Sequence, residues 1–178
     1  MRDSREQFIH DLRASYSIYY NIYNNDGDTD LPLMFRADFH NRDESYMLVK
    51  SAKVWGNEQN EYVFIFSDAC FDEKTVNKCL EFAKETALPL IKPHKEHNYS
   101  NIHTLFIADS IDENIRKIIT SQDFNKSYNH SLYGFTLLKT VYIDLGNEEF
   151  STNRQGHDMK KVIKKLFPYL NTPKKKWL

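Results

Sequence analysis

Leu33-Met34-Phe35-Arg36-Ala37-Asp38-Phe39-His40 alternates strictly, with Leu33, Phe35, Ala37 and Phe39 on one register and Met34, Arg36, Asp38 and His40 on the other. Successive side chains of a β-strand point to opposite faces, so this pattern predicts a strand with one buried side. Asn41-Arg-Asp-Glu-Ser45 follows as a turn, and a second strand is expected over about 46–55. Gly56-Asn-Glu-Gln-Asn60 then reads as a turn into a third strand over 61–66. Three strands joined by short polar turns predict an antiparallel meander.

Helical spacing flanks this centre. Phe8, Leu12, Tyr16, Tyr19 and Tyr23 recur every three or four residues, predicting a helix from about 4 to 24 that Asn24-Asn-Asp-Gly-Asp28 stops. Val76, Cys79, Leu80, Ala83 and Ala87 stripe a helix over 72–88 that ends at Pro89. A loop over 90–101 leads into a strand over 103–109, and Ser110-Ile-Asp-Glu113 fits a capping box opening a short helix. Residues 132–145 are strongly β-prone, 147–156 read as polar loop, and Met159, Val162, Ile163, Leu166 and Phe167 stripe a last helix. The order α-βββ-α-β-α-β-α predicts a single α+β domain over 1–178, with a largely antiparallel sheet of about five strands and helices packed on it.

Composition agrees with one folded core. The 178 residues are 40% hydrophobic and 14% aromatic, with only 5 Gly and 5 Pro to build linkers or the turns of a pure sandwich. No run approaches the ~18 apolar residues of a membrane span, and the charged start Met1-Arg-Asp-Ser-Arg-Glu6 leads into no secretory pattern, so a cytoplasmic protein is expected. Cys70 and Cys79 accordingly read as buried small hydrophobes. The net charge of −1 combines seven lysines and no acid in residues 159–178 with −8 on residues 1–158. Lysines at 160, 161, 164 and 165, continued by the basic tail 171–178, could face phosphate or an anionic membrane. The simpler reading is a solvated helix face, and a pI near 6.7 speaks against a nucleic-acid partner. Unpaired sheet edges and many tyrosines are compatible with a homodimer.

Two clusters carry candidate chemistry. His94, His97 and His103 fall within ten residues and would make a site for Zn²⁺, Ni²⁺ or Fe²⁺ if they converged, with Glu96 or Asp109 as an oxygen ligand. The spacing lacks the second Cys or His pair of established zinc signatures. Arg36, Asp38 and His40 share one face of their strand and could bind a ligand together with Lys50 or Lys53 of the next strand, walled by Tyr46 and Trp55. Asn153-Arg-Gln-Gly156 could form an anion-binding turn before the last helix. No P-loop or other nucleotide-binding signature is present, nor the Gly-x-Ser-x-Gly elbow of a serine hydrolase.

The core order α-βββ-α-β resembles that of the PD-(D/E)xK nucleases. Their Glu/Asp-x-Lys strand is matched only by Glu61-Tyr-Val63, so Mg²⁺ would need Asp38 or Asp43 with Glu61, and a displaced lysine such as Lys50 or Lys53. Over most of its length, through Ala37-Asp-Phe-His-Asn-Arg42, Lys53-Val-Trp55, Glu61-Tyr-Val-Phe-Ile-Phe66, Lys92-Pro-His-Lys-Glu-His97 and Thr152-Asn-Arg-Gln-Gly156, the chain also resembles an uncharacterised family of short bacterial proteins. That resemblance implies a single-domain cytoplasmic protein and transfers no catalytic residue. The residues favour a non-catalytic module that binds a small molecule or a protein. The alternative is a metal-dependent hydrolase, acting on phosphodiesters through His94, His97 and His103.

Overall fold

The computed structural model describes the chain apart from residues 1–4, 26, 28, 47–52 and 174–178, and, within two long strands, apart from the side chains of 42–57. Among the described residues seven strands form one sheet: β1 (Asn21–Asn24), β2 (Leu33–Tyr46), β3 (Lys53–Asp68), β4 (His97–Ala108), β5 (Asn125–Ser127), β6 (Phe135–Asp144) and β7 (Glu149–Thr152). Four helices accompany them: α1 (Arg5–Tyr16), α2 (Glu73–Ala87), α3 (Glu113–Thr120) and α4 (Met159–Leu166). The strand order is β1-β2-β3-β4-β6-β5, with β7 also paired to β6.

The sheet is mixed, which corrects the expectation of a largely antiparallel one. β1, β2 and β3 are antiparallel neighbours, but β3 pairs parallel with β4, and β4 parallel with β6. The cause is the connections: α2 carries the chain from β3 to β4 and α3 from β4 to β6, and a helical crossover returns the next strand in the same direction. The sheet also exceeds five strands, because β1, β5 and β7 are only three or four residues long. Such pieces lack enough alternation to be read; β1 lies in the predicted helix and β7 in the predicted loop.

The meander likewise becomes a two-stranded hairpin. Residues 41–45 and 56–60, both expected as turns, pair in continuous register from Asn41↔Gln59 to Ser45↔Trp55. Turn propensity yields here because Gln59 and Asn60 are held by a ladder on each side, β2 on one and β4 on the other. Helix α1 stops at Tyr16, leaving Tyr19 75% exposed in the following turn, and Tyr23 lies in β1. Helix α3 is capped by Asp112, whose carboxylate accepts from the Ile115 amide, instead of by Ser110.

Helices cover both faces. Tyr62, Phe64 and Phe66 of β3 join Ile102 and Phe106 of β4 under α2 and α3, packing against Val76, Leu80, Ala83, Ile115 and Ile119. Val63 and Ile65 face the other way, with Phe35, Leu105, Val141 and Ile143, under Phe8 and Leu12 of α1 and Met159 and Ile163 of α4. A central strand buried on both sides explains the unbroken apolar run from Tyr62 to Phe66. Phe8 of α1 stacks on Phe167, just after α4, at 4.1 Å, so these two helices meet over the second face. Cys79 is buried within α2, whereas Cys70 is exposed, contrary to the expectation for it.

Candidate functional site

The histidines separate at a β-bulge. Glu58 pairs with His97 and Gln59 with Tyr99, so Asn98 is an extra residue on β4, and the parity of side chains reverses across it. His97 therefore shares a face with Ser100, while His103 points through the sheet toward α1 and α4. His94 and His97 are neighbours, with ring centroids 6.5 Å apart, but the three imidazoles do not converge. Among the described residues no group of three or more His, Cys, Asp or Glu side chains is placed to hold a metal ion.

His94 and His97 are instead consumed in an internal polar strap. The His97 Nδ1–H donates to the Tyr133 carbonyl at 2.6 Å, which leaves Nε2 to accept from the Ser100 hydroxyl at 2.8 Å. Ser100 Oγ accepts from Asn60 Nδ2, which also donates to Glu58 Oε1. His94 Nε2 donates to Glu58 Oε2 at 2.9 Å while its Nδ1 accepts from the Glu96 amide. His40 Nδ1 donates to Asn60 Oδ1 at 2.8 Å. Although partial burial pushes the Glu58 carboxyl up, the hydrogen bonds from Asn60 and His94 outweigh it and hold the group below its ordinary range. Gly134, with φ +74°, permits this closure, since a Cβ there would lie 2.2 Å from the Asn98 oxygen and 2.8 Å from His97 Nδ1. The strap joins β2, β3 and β4 to the segment before β6.

Arg36 and Asp38 do share one face with His40, as alternation requires, but they pair with each other at 3.0 Å. The Arg36 guanidinium lies 4.3 Å from the centroid of the Tyr23 ring. Burial raises the Asp38 carboxyl despite that arginine. The side chains of Tyr46, Lys53 and Trp55, and Lys50 and Asp43 with them, lie outside the described residues. Asp38 pairs in register with Tyr62, so Asp38 and Glu61 occupy opposite faces and cannot share Mg²⁺ as the nuclease-like reading needs. The Asn153-to-Gly156 turn is also spoken for: Asn153, 2% exposed, accepts from the Thr140 and Gly156 amides and donates to the Leu138 and Gln122 carbonyls.

The open site lies on the other face, between α1 and α4, as a cavity of about 420 Å³. Leu105 and Ile143 form its apolar floor, Leu12 and Tyr16 one wall, and Met159, Ile163 and Phe167 the other. Its lips are Tyr19, Val162 and Leu166, which are 75%, 56% and 39% exposed. The stripe on α4 is thus wider than its core contact, and Val162 and Leu166 bound a mouth in place of a packed seam.

Polar groups gather at one end of this cavity: Tyr20, Glu61, His103 and Asp158. The Tyr20 hydroxyl donates to the Glu61 carboxylate. Burial raises the Tyr16 and Tyr20 phenols, with Glu61 adding to both, so each stays protonated. His103 is 5% exposed, and its buried Nε2 has no hydrogen-bond partner. Burial drives this imidazole down to about 4, against the opposing pull of Glu61, so it is neutral near pH 7. Lys139 is committed to Asp158 at 2.7 Å, and that bond outweighs desolvation in holding the Asp158 carboxyl low. The cavity is an apolar slot with a neutral histidine and a carboxylate at its end, the form that binding sites for small amphipathic molecules take.

Glu61 and His103 both stand out in the sequence, but His103 reads there as a partner of His94 and His97 because the reversal at Asn98 has no local signature. No helix of the described residues is long and apolar enough to cross a membrane. A family model described as a domain of unknown function, DUF8052, matches residues 4–165. No curated protein and no solved structure matches the chain.

Proposed function

The chain belongs to the DUF8052 family, a domain of unknown function, and for it we propose a non-catalytic role: reversible binding of a small amphipathic molecule in the slot between α1 and α4. The observation that carries this reading is His103 Nε2, a buried polar atom without a partner at the polar end of a cavity whose floor and walls are apolar. A buried polar group left unpaired costs about 1–3 kcal/mol, and a ligand hydroxyl or amine would recover it. The apolar walls supply the remaining affinity through area removed from water.

1-Octanol is a suitable first probe, having an apolar chain and one hydroxyl. A ligand at a hundredfold excess over its Kd stabilises the native state by about 2.7 kcal/mol, which raises the melting temperature of a chain this size by roughly 5 °C or more. Val162→Trp changes a half-exposed lip without touching the core and should abolish the shift by filling the mouth. An equal shift in the variant would place the octanol elsewhere and overturn the proposal.

A further inference from the structure

The polar end of the slot also indicates what the ligand carries there. Glu61 stands in register between Phe39 of β2 and Asn101 of β4. Its one hydrogen bond among the described residues comes from a neutral phenol, Tyr20. Among those residues no lysine or arginine pairs with it, the buried Lys139 being held by Asp158. The second polar group at this end, His103, is nine-tenths buried and unpartnered at Nε2. A partly buried carboxylate served by one neutral donor is poorly compensated, since charge taken from water needs an opposite charge or several hydrogen bonds.

Aromatic rings enclose the same spot. Tyr16 and Tyr20 meet edge to face at 4.9 Å between centroids, and Tyr20 packs on Phe39 at 5.3 Å. Ring faces beside a carboxylate attract an ammonium and repel an anion. Asp158, at the head of α4, also lines this end, its charge already matched by Lys139, so Glu61 is the carboxylate left to meet a ligand's charge.

We infer that the slot takes an amine: a molecule with an apolar body and a protonated amino group, the ammonium donating to Glu61 and to the free ring nitrogen of His103, with the tyrosine rings around it. This rests on the proposal that the slot binds an amphipathic molecule, and it excludes fatty acids and other carboxylate-headed amphiphiles as the preferred class.

Three probes of equal chain length separate the two claims: n-octylammonium, 1-octanol and octanoate, titrated by calorimetry at pH 7 into the full chain. The expected order is octylammonium tightest, by about tenfold over octanol, with octanoate weakest. Glu61→Gln should bring octylammonium to the level of octanol while leaving octanol unchanged. Octanol binding with octanoate equal to octylammonium would overturn the amine assignment alone. Failure of all three to bind would overturn the slot as a binding site and the amine with it. The wild-type series is decisive even should the glutamine variant not fold.

Discussion

Replacing His103 by glutamine should remove a defined part of the protein's acid sensitivity. Burial lowers this imidazole from 6.5 to about 4, so the unfolded chain takes up the proton first and acid favours unfolding. The stability from keeping the ring neutral is therefore fully present above pH 6.5 and is lost as the pH falls toward 4. With those two values the cost of the group is about 0.2 kcal/mol at pH 7 and about 2 kcal/mol at pH 5. Glu61 on β3 and Asp158 beside α4 favour the charged ring and Lys139 on β6 opposes it, and all three are included in that value. Carboxyls held low, such as Glu58, Asp144 and Asp158, lose their stabilisation mostly below pH 5 and are retained in the variant. Urea unfolding of wild type and His103→Gln at pH 7 and pH 5 isolates the difference. The wild type should lose about 2 kcal/mol more than the variant between the two values. Equal losses would refute the reasoning and mean that the ring is solvated or already paired.

Asn153→Ala should cost about 3 kcal/mol in the same assay, because the Thr140 and Gly156 amides would lose their acceptor inside the fold; a loss under about 1 kcal/mol would show that water replaces the side chain. Native protein should react with Ellman's reagent at one thiol only, the exposed Cys70, since Cys79 is buried and pushed up to about 12. Both thiols should react in urea, and modification of Cys79 at the rate of Cys70 would contradict the packing of α2 against the sheet.

What could be read from the residues alone follows the range of the interactions that decide each feature. Helices α2 and α4 and the strand at Leu33–His40 declare themselves because burial of one face imposes a period over eight or more residues. The parallel pairing of β3 with β4 was implicit in the intervening helix, but the turn-like strings at 41–45 and 56–60 masked the length of the hairpin. Glycine, asparagine and glutamate disfavour a strand locally, but 58–60 are held by ladders on both sides and the pairing of 41–45 with 55–59 continues from them. The same contrast governs the site. The Phe8, Leu12 and Tyr16 stripe and the Met159 to Phe167 stripe were legible as apolar faces, yet the gap between them depends on how two helices meet at Phe8 and Phe167. His94, His97 and His103 form one cluster in the chain and two environments in space, because Asn98 adds a single residue to β4. Glu61 drew notice as a carboxylate on a strand; its tyrosine partner comes from a turn 41 residues earlier.

The most direct test of the account is a map of contacts between 1-octanol and the methyl-labelled protein by nuclear Overhauser effects. The octanol chain should contact methyls of Leu12, Leu105, Ile143 and Ile163, which line the slot, with the hydroxyl end nearest His103. Contacts confined to the opposite face, at Val76, Leu80 or Ile115 under α2 and α3, would contradict it.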